Sequence, residues 1–175
     1  KGMKIVIDCA NGASSPLAGE ALKRMGADVI AHNTDVSGSH INKDCGSTHP
    51  QVLSGLVVRE KALLGFAYDG DGDRVIACDS RGNILDGDSI IAFCAINMAQ
   101  NGMLEKKTVV TTVMANMGFD KLLAGYGIEV FKTPVGDRYV LEEMIRTGSP
   151  LGGEQSGHII FSGLSPTGDG IISSL

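Results

Sequence analysis

The sequence predicts an α/β protein made of two similar domains, each a mixed, mostly parallel sheet flanked by helices. Three observations predict it. Short β-rich apolar runs alternate with helical patterns, which reads as β-α-β units and so as parallel pairing. The same order of elements occurs twice within 175 residues. The 24 glycines are too many for a plain helical protein and imply many tight loops.

The first half justifies itself element by element. Lys4 to Cys9 is a strand-like run, and Ala10-Asn11-Gly12-Ala13 is a turn. Ser14 or Ser15 is expected to cap a helix with Pro16 in its first turn. Leu17, Ala18, Ala21, Leu22 and Met25 would form its apolar face, and Gly26 would end it. A strand follows over Ala27 to Ala31, then a long polar loop from His32 to His49. A helix is expected from Pro50 to Lys61, and a strand from Leu63 to Tyr68. Val75 to Cys78 is the next strand, Arg81-Gly82-Asn83 a turn, and Ile84-Leu85 a short strand.

The second half repeats the scheme. Asp86-Gly87-Asp88-Ser89 caps a helix running to Gln100, with Ile90, Ile91, Phe93, Cys94 and Ile96 as core candidates. Thr108 to Met114 is a strand and Ala115-Asn116 opens a helix over Phe119, Leu122 and Leu123. Ile128 to Phe131 is a strand, and a helix follows over Val140, Leu141, Met144 and Ile145. Leu151 to Phe161 reads as strand, loop, strand, as Leu64 to Ile76 does in the first half. The expected domains are 1–86 and 87–175, the second cut short at a helix just beginning over Gly170 to Leu175.

Charge and composition exclude some function classes. A net charge of −5 without basic clusters argues against nucleic acid and membrane surfaces as partners. No apolar run approaches the roughly 20 residues of a membrane helix, and no signal peptide is evident. Cys9, Cys45, Cys78 and Cys94 form no CxxC pair, and three of them sit in apolar runs as packed thiols. A reducing cytoplasm fits that pattern.

The chemistry concentrates in Asp69-Gly70-Asp71-Gly72-Asp73-Arg74, between two apolar strands. Three neighbouring carboxylates repel one another unless a cation neutralises them. Oxygen-only ligands suit a hard ion such as Mg2+, so Asp69, Asp71 and Asp73 are the candidate metal ligands. An EF-hand loop would need Gly at its sixth position and Glu at its twelfth; counting from Asp69 these are Arg74 and Ser80.

A second loop, Gly152 to His158, crowds Glu154, Gln155, Ser156 and His158 between glycines. Such a set offers acceptors and donors for the vicinal hydroxyls of a sugar. Ser156 lacks the G-x-S-x-G surroundings of a hydrolase nucleophile. The Ser39-His40 pair has no evident orienting acid and reads as structural. Arg138 is placed either to hold a phosphate or to pair with a surface carboxylate.

DGDGDR, the TPVGDRYV run from Thr133 to Val140, and GGEQSGH from Gly152 to His158 together resemble the phosphohexomutase superfamily. The opening DCANGA and the INKDCGSTH run from Ile41 to His49 are most similar to its members acting on hexosamine phosphates. Those acting on mannose or glucose phosphates are the alternative. The resemblance covers the whole chain and corresponds to the second and third of four domains. It implies a hexosamine phosphate substrate and a phosphoserine on the first domain, inside a Thr-Xaa-Ser-His-Asn-Pro motif that this sequence does not contain. The fourth domain would bring a phosphate-binding loop. By itself the chain is therefore expected to be inactive, at most a module that binds Mg2+ and sugar phosphate. The resemblance further implies Mg2+ on Asp69, Asp71 and Asp73, Arg74 near the transferred phosphate, and Glu154, Ser156, His158 and Arg138 at the substrate. The run Val36 to His40 departs from the family pattern, and the 36–49 loop takes no role from it.

Overall fold

The computed structural model describes residues 2–175. The chain divides into two compact units, one ending at Leu85 and rejoined by Gly170–Leu175, the other running from Asp86 to Asp169. Gly170–Leu175, the end of the expected span 87–175, pack with the first unit.

The first unit holds β1 (Lys4–Asp8), α1 (Ala18–Arg24), β2 (Asp28–His32), α2 (Pro50–Glu60), β3 (Leu64–Tyr68), β4 (Val75–Asp79) and β5 (Ile84–Leu85). Its sheet order is β2-β1-β3-β4-β5. β1 lies at the centre of three parallel strands, with Ile5 opposite Val29 on one side and Leu64 on the other. The β3–β4 and β4–β5 pairs are antiparallel. A mixed sheet follows from the connections: crossover helices demand parallel strands, whereas short loops return antiparallel ones. α2 lays Leu53, Leu56 and Val57 against Val6, Ala67 and Cys78 to form the core.

The second unit holds α3 (Gly87–Gln100), β6 (Thr108–Thr112), α4 (Met117–Gly125), β7 (Glu129–Thr133), α5 (Asp137–Thr147), β8 (Leu151–Gly153) and β9 (Ile159–Phe161). Its order is β7-β6-β8-β9, with β6 parallel to β7 and β8, and β8 antiparallel to β9. β2-β1-β3-β4 and β7-β6-β8-β9 are the same arrangement. Val110, Val140, Met144 and Ile160 form the core beneath α5.

The last helix, α6 (Gly170–Ser174), belongs to the first unit. Its Gly170 N–H donates to the Gly72 carbonyl at 2.9 Å, and the hydroxyls of Ser174 and Tyr68 lie 2.8 Å apart.

Several expectations need correction. α1 starts at Ala18 with Leu17 at its cap and no side-chain cap bond. Ser14 turns inward instead, its hydroxyl donating weakly to the Cys9 carbonyl at 3.4 Å. Leu17 and Met25 are exposed; the helix buries only Ala18 and Leu22. Phe93, at 72% exposure, is not a core residue. α3 faces inward through Ile91 and Ala95, and Phe93 sits about 200° around the helix from Ile91. Ile145 is likewise exposed, one step past the buried Val140 and Met144. No helix among the described residues is long and apolar enough to cross a membrane.

Candidate functional site

The acidic loop is the connection between β3 and β4, whose last paired residues are Tyr68 and Val75. Asp69 is buried, Asp73 half-buried and Asp71 exposed. The Asp69 Oδ1 accepts the Arg74 N–H at 3.1 Å and so closes the loop on itself. Gly72 takes φ +78°, a left-handed turn that admits glycine without a Cβ clash. One carboxylate oxygen from each of Asp69, Asp71 and Asp73 lies within 4.8 Å of the other two. Among the described residues it is the one such cluster. Burial, with the Asp73 and Asp71 carboxylates beside it, pushes the Asp69 carboxyl up to about 6; the Arg74 N–H pulls the other way. The donor set is entirely carboxylate oxygen, as a hard divalent cation requires, so these residues fit Mg2+. The Arg74 Nε stands 3.9 Å from both Asp69 and Asp73. Its side chain is 44% exposed, which leaves the guanidinium loosely held.

Neighbouring segments clamp this loop. The Ala13 N–H donates to the Gly70 carbonyl at 2.9 Å. Gly12 approaches so closely that a Cβ on it would stand 2.3 Å from the Gly70 oxygen. The side chains of Ile41 and Asn42 lie against the Cα of Gly70. Part of the 36–49 loop thus acquires a place, as a wall of the acidic loop.

The Ser39-His40 reading is corrected in one respect. Asp35 stands 3.1 Å from the His40 Nδ1, so an orienting acid exists. That carboxylate also accepts from the Ser37 N–H and hydroxyl, which makes the group an exposed turn.

The second loop connects β8 and β9 at the equivalent place. Its turn is closed by the Gly157 N–H on the Glu154 carbonyl at 3.0 Å. The Glu154 Oε1 accepts the Gly136 N–H at 2.9 Å, and its Oε2 accepts the exposed Ser156 hydroxyl at 3.4 Å. Glu154 therefore links the loop to the 134–138 segment. Gln155 anchors the other side: its carbonyl accepts the Gly87 N–H at 2.9 Å. Its side-chain amide reaches Asp86 at 3.3 Å and Asp88 at 3.5 Å. A Cβ on Gly87 would stand 2.0 Å from the Glu154 carbonyl, so the start of α3 is packed directly on the loop.

Two expected substrate residues have protein partners in this structure. His158 is buried, and its Nε2 accepts the Gly168 N–H at 3.2 Å. Its ring packs on Gly168, where a Cβ would come within 2.5 Å of it. The Arg138 Nε donates to the Glu142 Oε1 at 2.8 Å across one turn of α5 in an exposed pair. Arg138 thus has a surface carboxylate as its partner here.

Sequence reasoning missed Asp88 and Asp8. Asp88 is buried and accepts the Asn116 N–H at 2.8 Å. Burial raises its carboxyl above the ordinary range despite that bond. Its signal was present, since a second acid two residues beyond a cap exceeds what capping needs. Asp8 closes a strand whose middle is the apolar Ile5, Val6 and Ile7, and reads as a strand end.

These features define a class: a duplicated α/β protein with a metal-competent acidic loop in one unit and a hydroxyl-compatible polar loop in the other. The pattern "Phosphoglucomutase/phosphomannomutase, alpha/beta/alpha domain II" matches residues 1–82, and domain III of the same family matches 86–175. The chain belongs to the phosphoglucomutase/phosphomannomutase family. It is similar to a phosphoglucosamine mutase of Caldanaerobacter subterraneus, 58% identical over 175 residues, all of this chain and 39% of that protein. One from Symbiobacterium thermophilum is 52% identical over 174 residues, 99% of this chain and again 39% of the relative. The chain thus spans about two fifths of these relatives' length. Among solved structures, a phosphoglucomutase/phosphomannomutase family protein of Burkholderia thailandensis superposes with a TM-score of 0.87 at 27% identity, over 99% of this chain and 38% of that one. A variant of the Aspergillus fumigatus N-acetylphosphoglucosamine mutase in complex with glucose-1,6-bisphosphate has a TM-score of 0.69 at 26% identity, over 93% of this chain and 34% of that one.

Proposed function

We propose that this chain is the second and third domains of a phosphoglucosamine mutase, interconverting glucosamine 6-phosphate and glucosamine 1-phosphate. The acidic loop carries the reading: three convergent carboxylates with an adjacent arginine suit phosphoryl transfer. The amino-sugar preference rests on the names of the relatives at 51–58% identity. Asp69, Asp71 and Asp73 would hold Mg2+, which when bound neutralises charge on the transferring phosphoryl and orients it. The Arg74 guanidinium donates to the same phosphate from a position its two 3.9 Å contacts leave adjustable. The phosphoryl donor is the phosphoserine that the family resemblance assigns to the first domain. Transfer gives a bisphosphate, which reorients and returns its other phosphate.

Glu154 and Ser156 receive the sugar hydroxyls. The Glu154 carboxylate, already oriented by Gly136, presents charged acceptors without reorganising. Arg138 reaches a substrate phosphate by exchanging Glu142, and an exposed pair of that kind is worth only about 0–1 kcal/mol. His158 acts from inside, holding the segment that carries Gly168. We place the protein in the cytoplasm, in keeping with its free cysteines. A second reading takes glucose or mannose phosphate as substrate, the sugars that the matching family's own description names.

Turnover of the full-length protein on glucosamine, glucose and mannose phosphates, with Mg2+ and after chelation, tests the proposal. Preference for glucosamine phosphate and loss on chelation are expected. Equal turnover without divalent metal would overturn it.

A further inference from the structure

Asp8 ends β1 with 0% exposure and belongs to neither loop discussed above. Its two carboxylate oxygens serve two different segments. Oδ1 accepts the Ala10 N–H at 3.0 Å, and Oδ2 accepts the Gly46 N–H at 2.9 Å. Both segments press on the acidic loop.

The first runs from Ala10 to Ala13. Ala10 and Asn11 adopt φ +52° and +53°, a left-handed conformation that asparagine tolerates but alanine takes only where its surroundings impose it. That turn delivers Gly12 and the Ala13 N–H to the Gly70 carbonyl. The second segment runs from Asn42 to Ser47. The Ser47 N–H donates to the Tyr68 carbonyl at 2.8 Å, immediately before Asp69. The Asn42 N–H donates to the Ala10 carbonyl at 2.9 Å, which joins the two segments, and its side chain covers Gly70. Peptides 68 to 70 are therefore gripped from two sides by segments that share one carboxylate.

We propose that Asp8 is a positioning residue for the metal loop. Through Ala10 and Gly46 it fixes the backbone at Tyr68–Gly70 and so sets the spacing of Asp69, Asp71 and Asp73 for a divalent cation. The inference rests on the reading of that loop as a Mg2+ site. A carboxylate is required because both of its neighbours are N–H donors. An asparagine offers one accepting oxygen and turns an NH2 toward the other donor.

The test titrates Mg2+ into the full-length protein by calorimetry, with Mn2+ paramagnetic resonance as a second probe. Wild type, Asp8→Asn and Gly12→Ala are compared, with thermal melts of each. Asp8→Asn should weaken Mg2+ binding at least tenfold while the fold persists, and excess Mg2+ should restore kcat with KM for the sugar phosphate unchanged. Gly12→Ala keeps every charge yet forces the Gly70 carbonyl to move, so it should weaken Mg2+ in the same way. Wild-type Mg2+ affinity in a folded Asp8→Asn protein would overturn the proposal. So would a normal Gly12→Ala beside a weakened Asp8→Asn, because the effect would then be one of charge alone. If Asp8→Asn does not fold, Gly12→Ala decides by itself. Absence of Mg2+ binding in wild type would instead sink the reading of the loop, and this inference with it.

Discussion

Glu154 permits a separation of structural and chemical roles. Its Oε1 holds the Gly136 N–H and its Oε2 holds Ser156, so alanine removes both a brace and a charged acceptor. Glutamine keeps an oxygen for Gly136 and loses only the charge. A half-buried N–H left to find water costs about 1 kcal/mol, so Glu154→Ala should lower stability by that amount and Glu154→Gln by about 0.5 kcal/mol or less. Hydrogen bonds to a charged acceptor are worth about 1.5–3 kcal/mol and neutral ones about 0.5–1.5. Replacing two charged bonds to sugar hydroxyls with neutral ones therefore removes about 2 kcal/mol, or ~30-fold in kcat/KM. Alanine removes both bonds outright, about 3–6 kcal/mol, and should lose ~10²-fold or more. The assay is steady-state kinetics on full-length variants at saturating Mg2+, beside urea unfolding and Mg2+ titration. Unchanged kinetics in Glu154→Gln, with Glu154→Ala merely less stable, would refute the reasoning and leave Glu154 a brace.

Three further outcomes are expected. Asp71→Asn should cut turnover of the full-length protein by about 10²-fold or more, while relief of like-charge repulsion leaves the melting temperature equal or higher in metal-free buffer; a collapsed melt with normal turnover per folded molecule would make the loop structural. Gly87→Ala should destabilise by about 1–3 kcal/mol and shift KM, since its Cβ meets the Glu154 carbonyl at 2.0 Å; wild-type melting and kinetics would contradict that packing. Asp88 titrates above its ordinary 3.8 because it is buried, so the folded state disfavours its charge. Its contribution to stability is therefore fully present below 3.8 and is lost as pH rises through the raised value. Asp88→Asn should flatten that part of the stability–pH curve, and an unchanged slope would argue against it.

Much of the fold was legible because the β runs are apolar and the breaks between them are Gly, Asn and Asp turns. The repeated order of strands showed in sequence for the same reason. The acidic loop was legible because three acids alternating with glycine have few other uses. What escaped was tertiary. Phe93, Leu17 and Met25 are apolar but exposed, and periodicity alone cannot tell a buried face from an uncovered one. Ser14 looked like a cap because caps are local, yet its hydroxyl turns inward to Cys9. His158 and Arg138 carried the right chemistry for a sugar phosphate, but Gly168 and Glu142 hold them in this structure. Asp8 needed the 46 position, 38 residues away in sequence, before its second oxygen acquired a partner.

The cysteines packed around the acidic loop's supports have a practical meaning. Cys9 lies in the segment that Asp8 organises, and Cys45 immediately precedes Gly46; both are free and buried. Burial pushes the Cys9 thiol up to about 11 and raises Cys45 as well. At neutral pH, then, the Cys9 thiol stays protonated in the native state, and its burial shields the sulfur from an attacking reagent. Alkylation of Cys9 must wait for local opening of these supports, so its rate clocks how often the floor beneath the acidic loop comes apart. The protein thus carries its own chemical stopwatch for that floor, readable by mass spectrometry without an added probe residue.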